Sequence, residues 1–399
     1  MLKKEYKGRI IFHIDMNAFF CSVACIKNPT LRGKAFAIGR ENTTKGVLST
    51  ASYEARKYGI HSAMPVIEAY RLYPKLIVVE PNYEEYMKYH NLFVNMILEY
   101  TKLVEVASID EVYADMTEIS NEIHPIVLAK TIQLRLLKEL KLSASIGIAP
   151  TLFLAKMASD IKKPLGLTVI RKREIEKILY PLSVKDIYGI GKKSYPKLID
   201  NNILTIKDFM DLNNKDKIIS LIGENQYNSS YEALQGKSSN VVNPKRYETR
   251  SSISTMTTFD VNKTTVGELM YEARGLIRDV INSLNYEDLL TKTVIITLRN
   301  DKFETLSRRI TIDDYTNDKY VITDIVNELI ETYFKEGESY RLLGVGLSNL
   351  IKSDEVKKEY NLFTLDDKDL KELSINKLIN EVQEKYGKKA LYFKKNEEK

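Results

Sequence analysis

The chain has 399 residues, room for roughly two to four domains, and its 44% hydrophobic and 29% charged residues are typical of a globular protein. No stretch approaches the roughly eighteen apolar residues of a membrane helix, and nothing near the N-terminus resembles a signal peptide, so we expect a cytoplasmic protein without membrane contact. A net charge of +6 does not by itself indicate a nucleic-acid binder, and Cys21 and Cys25, with four scattered histidines, exclude a disulfide framework and argue against a zinc site.

The first predicted strand is an apolar run, "RIIFHIDM" at residues 9–16, that leads directly into Asp15. Because an unpaired buried charge is costly, a carboxylate at the end of a buried strand indicates a partner or a metal ion. A plainer interpretation is also open, in which Asp15 caps the helix that is predicted to start near Asn17.

Three segments farther along carry the next predicted elements. Residues 46–60 predict a strand running into a helix that stops at Gly59, and residues 141–160 predict a strand, a break at Pro150 and a helix. Residues 102–116 predict two strands that meet near Asp110 and Glu111. Neighbouring residues on a regular strand point to opposite faces, so these two can share a site only if a turn or bulge lies there.

Acidic groups at strand ends form an oxygen-rich site suited to magnesium, and two such ions could activate a 3′-hydroxyl for attack on a triphosphate. Alternatively, "DE" at a hairpin tip is an ordinary solvated turn.

The second half of the chain changes character twice. Residues 183–212 predict short helices broken by "GIG" at 189–191, and residues 236–247 have the small, polar composition of a linker. The elements that follow share a split β-α-β order, an α+β sandwich with helices on one face. They are strand 248–259, helix 264–284, strand 292–300, strand 304–312, helix 323–335 and strand 340–350.

Positive charge in this last region is concentrated on the predicted strands. Segments 245–259, 292–311 and 340–350 hold nine basic and three acidic residues. A positive sheet backed by acidic helices suits one-sided contact with phosphates. Strand alternation places Arg250, Arg299 and Arg309 on polar faces, where we expect backbone contacts with DNA.

Five segments in order across residues 9–352 resemble the Y-family translesion DNA polymerases, closest to the DNA polymerase IV type. They are "HIDMNAFFCSV", "STASYEARKYGI", "VASIDEVYAD", "SIGIAPTLFLAKMASDIKKPLG" and "IYGIGKKS". The resemblance implies a multidomain α+β right-hand fold with a ferredoxin-like palm, small fingers, a helical thumb and a split β-α-β little finger. The implied bounds are palm 1–18 and 83–175, fingers 19–82, thumb 176–239, linker 240–246, little finger 247–352 and tail 353–399.

The resemblance also assigns the active site. Asp15, Asp110 and Glu111, with the backbone carbonyl of Met16, match the family's ligands for two Mg²⁺ ions. Phe20 matches the steric gate, an aromatic ring that excludes a 2′-hydroxyl by shape. The remaining nucleotide-binding positions that match are Thr50, Tyr53, Arg56, Lys163 and Phe19, of which Phe19 is also the expected core residue.

For DNA, the resemblance implies a helix-hairpin-helix at Gly189, Gly191 and Lys192, whose backbone amides approach a phosphate. The second turn of that motif has Asn202 where glycine is usual, and asparagine tolerates the left-handed conformation. Arg308 joins Arg299 and Arg309 among the expected DNA contacts. In the tail, Leu362 and Phe363 match the anchors of a sliding-clamp peptide, although Glu359 and Tyr360 depart from the pattern.

The predicted protein is therefore a monomeric, nucleoid-associated lesion-bypass polymerase that adds deoxynucleotides to primer–template DNA without proofreading. Two other functions stay open from the sequence. A nucleotidyl cyclase would also use paired acids and two metal ions, but it leaves the GIG hairpin and the basic sheet unexplained. The other is a catalytically inactive DNA-binding adaptor that docks on the clamp. Intact Asp15, Asp110 and Glu111 argue against it, because an adaptor does not need them.

Overall fold

The computed structural model describes residues 8–40, 46–246 and 250–355. The chain divides into two compact units, residues 1–250 and 251–399. None of the helices in the described ranges combines the length and the apolar character needed to cross a bilayer.

The strands of the first unit form two sheets. Their bounds are β1 Ile11–Met16, β2 Phe36–Ile38, β3 Thr50–Ala51, β4 Ile77–Val79, β5 Val104–Val106, β6 Glu111–Asp115, β7 Ala144–Ala149 and β8 Leu167–Val169. The larger sheet has the order β5-β6-β1-β7-β8, and the smaller has the order β3-β2-β4. The β7–β8 and β2–β4 pairs are parallel, and the other pairs of these strands are antiparallel.

Eleven α-helices accompany these strands in the described part of the unit. They are α1 Phe19–Lys27, α2 Tyr53–Arg56, α3 Val66–Leu72, α4 Tyr83–Leu98, α5 Pro125–Arg135, α6 Leu152–Ile161, α7 Ile175–Leu179, α8 Tyr195–Ile199, α9 Ile206–Met210, α10 Lys215–Ile222 and α11 Glu224–Leu234. The break at Pro150 and the left-handed Gly59 (φ 81°) agree with the sequence.

Both faces of the large sheet are covered, which explains why β1 is buried along its whole length. Phe12 and Ile14 pack into one apolar core with α4 and α5. Ile11 points the other way, into a core that it shares with α6 and the helices that follow. Alternation along β1 therefore places His13 and Asp15 on the α6 side.

The predicted linker is packed against the first unit. Val242 is buried in the core that includes α6. Glu105, on β5, has a side chain that is only 4% exposed; it accepts the Asn243 amide at 2.8 Å and forms an ion pair with Arg246 at 2.6 Å. Although its composition is that of a linker, this segment is therefore bound to β5 as far as Arg246.

The second unit has the predicted strand and helix order. Its elements are β9 Ser252–Lys263, α12 Val266–Tyr286, β10 Leu289–Asn300, β11 Thr305–Thr316, α13 Lys319–Tyr333 and β12 Tyr340–Lys352. The sheet order is β11-β10-β12-β9, with every pair antiparallel. Side chains of β10 such as Val294 and Ile296 face the two helices, and neither helix packs on the opposite face of the sheet, here called its open face. This confirms the α+β sandwich.

Candidate active site

Two of the predicted carboxylates face each other across adjacent strands. Asp15 on β1 lies opposite Glu111, the first residue of β6, in the antiparallel register. Asp110 lies in the bend before β6, where the Ser108 hydroxyl donates to its carboxylate at 2.7 Å and Met16 donates its amide to its carbonyl at 3.0 Å. This bend is the one that the sequence required for Asp110 and Glu111 to share a site.

The alternative in which Asp15 caps a helix does not hold. Helix α1 begins at Phe19, and its N-cap residue is Ala18, in the left-handed conformation, whose side chain makes no hydrogen bond to the helix end. Asp15 is 4% exposed and lies within β1. Its carboxylate therefore serves something other than the start of α1.

Two lysines neutralise this pair of carboxylates. The Lys156 ammonium lies 3.1 Å from Asp15 Oδ2 and 3.0 Å from Glu111 Oε1, and the Lys163 ammonium lies 2.6 Å from Asp15 Oδ2. Burial raises the pKa of Asp15 to about 6, against the opposing charges of Lys163 and Lys156. Burial acts in the same direction on Glu111, but the neighbouring His13 and the charge of Lys156 outweigh it and hold the pKa of that carboxyl below its usual range.

The donor chemistry fits a hard divalent cation, since three carboxylates and the Met16 carbonyl are all oxygen ligands. Within residues 8–40, 46–246 and 250–355, however, no three acidic, histidine or cysteine side chains are grouped as closely as metal ligands are. Ammonium groups hold the Asp15 and Glu111 carboxylates instead. A metal ion bound here would replace lysine contacts and would not enter a preformed cage.

Lys156 was not among the predicted site residues, and a close approach of α6 to the sheet explains its position. At Gly147 on β7, the Cβ of any larger residue would lie 2.0 Å from the Ala155 carbonyl oxygen and 2.4 Å from the Ser159 amide nitrogen. Only glycine allows the helix backbone to approach this closely. The approach brings Lys156 and Ser159 to the carboxylates and to His13.

A pocket of about 320 Å³ lies beside the carboxylates, a volume within the range of small-molecule sites. The predicted metal and nucleotide-binding residues all line it: Asp15, Met16, Asp110, Glu111, Thr50, Tyr53, Arg56, Lys163, Phe19 and Phe20. The Arg56 side chain donates to the Ala51 carbonyl at 3.0 Å, and its guanidinium lies 4.7 Å from the centre of the Tyr53 ring. These contacts fix the orientations of the Arg56 and Tyr53 side chains in the pocket.

The two adjacent phenylalanines face different surroundings. Phe19 is 2% exposed within the core that α4 and α5 share with β1. Phe20 is half-buried and stacks on Tyr86, with ring centres 4.1 Å apart and planes 13° from parallel. Tyr86 was not predicted from the sequence, although its position in α4 on an apolar helical face was the available signal.

The region predicted as a helix-hairpin-helix has left-handed residues at both of its turns. Gly189 has φ 92° and Asn202 has φ 65°, both left-handed, so asparagine does replace glycine at the second turn. Lys192 is exposed after the first turn, and a Cβ at Gly191 would meet no other described residue within 4 Å beyond its two chain neighbours. The backbone here is therefore accessible to a large ligand.

In the second unit, the predicted arginines do not share one face. Arg299 follows Ile295 and Thr297 on the open face of β10, and Arg309 lies opposite Ile295 in the register. Arg308 lies opposite the buried Ile296, and its guanidinium is 5.1 Å from the Tyr333 ring on α13.

Arg250 precedes β9, which begins at Ser252 and not at residue 248, so strand alternation does not fix its direction. Leu362 and Phe363 lie outside the described residues.

Comparison with known proteins gives consistent matches. The impB/mucB/samB family model matches residues 14–160, and the model of that family's C-terminal domain matches residues 250–360. DNA polymerase IV from Oceanobacillus iheyensis is 38% identical over 98% of this chain and 93% of its own length. DNA polymerase IV 1 from Bacillus subtilis is 37% identical over 96% of this chain and 92% of its own length.

Solved structures of Y-family polymerases are similar too. A chimera of the Y-family DNA polymerases Dbh and Dpo4 has a TM-score of 0.76 at 27% identity, covering 86% of this chain and 99% of its own. The insertion ternary complex of Dbh DNA polymerase has a TM-score of 0.61 at the same identity and coverage.

Proposed function

Because this chain belongs to the Y family of DNA polymerases, the impB/mucB/samB family, we propose that Asp15, Asp110 and Glu111 bind the metal ions of a primer-extending active site. The activity is that of the DNA polymerase IV type, a DNA-directed DNA polymerase of translesion synthesis and DNA repair. What the proposal adds is the assignment of residues to steps. The register pairing of Asp15 with Glu111, at the edge of a pocket that also contains Tyr53 and Arg56, carries it.

The family uses divalent metal ions, and we propose Mg²⁺ bound by the three carboxylates and the Met16 carbonyl. When bound, the two ions would lower the pKa of the primer 3′-hydroxyl and offset charge on the departing pyrophosphate. Asp15 on β1 and Glu111 on β6 would hold the ions from adjacent strands, in place of their contacts with Lys156.

Tyr53 and Arg56 are proposed to hold the triphosphate. They lie three residues apart at one helical face, and the arginine fork matches phosphate oxygens. Thr50 lines the same wall, and Lys163 supplies a further cation at the pocket edge. Positioning of this kind accounts for much of catalysis in phosphoryl transfer.

Phe20 is proposed as the steric gate. Its ring lines the pocket and is supported from behind by Tyr86, so it cannot retreat from a 2′-hydroxyl without disturbing a stacked pair. Rejection of ribonucleotides by shape follows from that support.

Primer–template DNA is the proposed polymeric substrate, bound at the Gly189–Lys192 turn and at the open face of the second unit's sheet. Gly191 offers accessible backbone amides at the first of these, and Arg299 and Arg309 offer positive charge at the second. Arg308 is left out, since it faces the helices. Three further points stay predictions: Leu362 and Phe363 dock on a sliding clamp, the protein is a monomer, and it lies in the cytoplasm beside the nucleoid.

Primer extension tests the assignment. Asp110→Asn should reduce extension with Mg²⁺ and deoxynucleotides to background, because it removes charge from the ligand set. Glu118→Gln is the matched control, since Glu118 is exposed beyond the opposite end of β6. Full extension by the Asp110→Asn protein would contradict the proposal. A cyclic nucleotide product from the wild-type protein would favour the cyclase, and DNA binding without extension by the wild-type protein would favour the adaptor.

A further inference from the structure

We propose that a cavity beside α2, separate from the active pocket, is a second nucleic-acid site that binds a single strand of DNA. Two faces of α2 bear different residues. Tyr53 and Arg56, three apart, line the active pocket. Glu54 and Lys57, also three apart, line a cavity of about 440 Å³. This site goes beyond the proposed polymerase activity, and its lining includes none of the residues assigned to that activity.

The cavity has an excess of positive charge. Lys34, Lys57 and Lys75 line it, all three are exposed, and none forms an ion pair with another residue in the described ranges. Glu54 is the one acid among the described residues that line the cavity. Unpaired cations around a concave surface attract a polyanion, because binding releases the counterions of its phosphates. The charge therefore favours a nucleic acid.

Two stacked tyrosines supply a platform for a base. The ring centres of Tyr58 and Tyr73 lie 4.3 Å apart, with the planes 22° from parallel. Tyr73 packs on the apolar core of the small sheet, whereas Tyr58, just beyond α2, is 48% exposed. Tyr73 thus supports the Tyr58 ring, and an unpaired base can stack on the part that is exposed. Aromatic rings among cations are typical of sites for single strands, whose bases are free to stack on protein.

The positive charge continues into a neighbouring cavity, which favours a strand over a mononucleotide. This neighbour has a volume of about 580 Å³ and shares Gly33 and Glu54 with the first cavity. Its lining adds three exposed cations, Arg32, Lys138 and Lys141. A mononucleotide would occupy one cavity, whereas a strand can place successive phosphates along both. An acidic peptide would match the charge, but it has no base to stack on the exposed tyrosine.

Binding of a fluorescein-labelled oligothymidine to the full-length protein tests the proposal. Fluorescence anisotropy is measured while unlabelled primer–template duplex saturates the polymerase site. Substituting glutamine for all three lysines of the first cavity should weaken binding and lower the slope of log K against log salt by about 2, since each phosphate contact of a single strand contributes about 0.7. The matched control makes the same substitution at Lys102, Lys130 and Lys177, three exposed lysines outside both cavities, and should change neither value.

A second pair of variants tests the stacking platform. Tyr58→Ala should raise the Kd for the labelled strand about 5- to 150-fold, the effect of losing one stacked base. Tyr58→Phe keeps the ring and should stay within a few-fold of the wild type. A strand that carries iododeoxyuridine should cross-link to Tyr58 under near-ultraviolet light, with the site identified by mass spectrometry. Circular dichroism establishes that each variant is folded, and if Tyr58→Ala is not, the lysine variant and the cross-link decide the question.

Equal binding by the lysine variant and its control would overturn the proposal, as would cross-linking confined to other parts of the chain. Thymidine monophosphate that displaces the labelled strand as efficiently as unlabelled oligothymidine would also overturn it, in favour of a free nucleotide. Displacement by polyglutamate with that efficiency would overturn it in favour of an acidic partner. The Asp110→Asn protein should bind the strand as the wild type does, so failure of the wild type to extend a primer would overturn the proposed function alone.

Discussion

Substituting Gly147 tests whether the close approach of α6 builds the active site. The new Cβ would lie 2.0 Å from the Ala155 carbonyl oxygen, and contacts under 3.0 Å essentially never occur, so in Gly147→Ala helix and strand must separate by about 1 Å. The same movement would stretch the Lys156 contacts of 3.1 and 3.0 Å to Asp15 and Glu111 toward about 4 Å, the practical limit of an ion pair.

Two measurements follow from that displacement. Overpacking of this kind costs about 1–3 kcal/mol, which should lower the Tm of the first unit by about 2–10 °C. A misplacement of about 1 Å at a catalytic site can cost about 100-fold in rate, so we expect the rate of primer extension to fall by about that factor.

Gly275→Ala is the control, because Gly275 lies within α12 and the added carbon would have open space around it, with no described atom beyond its own helix backbone within 4 Å. There, alanine should stabilise the protein by about 0.5–1 kcal/mol. Gly147→Ala protein with the wild-type Tm and extension rate would refute the reasoning.

Three further substitutions or probes address other parts of the chain. Phe20→Ala should let ribonucleotides into the pocket while deoxynucleotide use is largely kept, measured as the ratio of the two kcat/KM values; an unchanged ratio would remove Phe20 from its role. Replacing Arg299 and Arg309 by alanine should lower the slope of log K for DNA binding against log salt by about 2, whereas Arg308→Ala, which faces the helices, should not change it; equal effects would contradict the assignment of faces. Burial raises the pKa of the Cys21 thiol, so iodoacetamide at about pH 8 should alkylate Cys25 first, and the Cys25→Ser protein should resist labelling until it unfolds; rapid native labelling of Cys21 would show that its site is open.

The carboxylates could be found from the sequence because strand ends are local features. An apolar run that stops at Asp15, and a second that starts after Asp110 and Glu111, place acids at the edge of a sheet without knowledge of the pairing. The need for a bend at Asp110 also followed from strand alternation alone, and the structure has that bend.

Lys156 could not be predicted as a site residue, because its partner Asp15 is 141 residues away along the chain and the sequence does not show that the two meet. The sequence predicts a helix after Pro150 within residues 141–160, and that prediction does not say which turn of the helix lies over which strand. A signal was present: Lys156 and Ser159 are polar residues three apart, on the side of α6 that is otherwise alanine, leucine and methionine. Buried polar residues on an apolar helical face indicate partners across the interface.

Strand alternation alone does not decide which arginines of the second unit lie on the open face of its sheet. Arg308 and Arg309 are neighbours, so one of them had to face the helices. The register with β10 settles that Arg308 does. For Arg250 only the predicted strand boundary was wrong: β9 begins at Ser252, and alternation assigns a face only to residues within a strand, so the DNA contact of Arg250 stays a prediction.

The charges around Asp15 indicate how the site is stable before any ligand binds. The buried Asp15 and the partly buried Glu111 would be costly if they were unpaired, and Lys156 and Lys163 pair them from within the chain. If a metal ion binds Asp15 and Glu111 as proposed, the same lysines would compete with it, and metal binding would gain less free energy than the number of carboxylates alone suggests. A triphosphate bound at the proposed site would change that balance, because its phosphates would pair with the ammonium groups of Lys156 and Lys163 and supply further oxygen ligands for a metal ion. Metal affinity should accordingly rise when a nucleotide is bound, and the lysines of α6 and its C-terminal loop are the residues through which the two ligands are coupled.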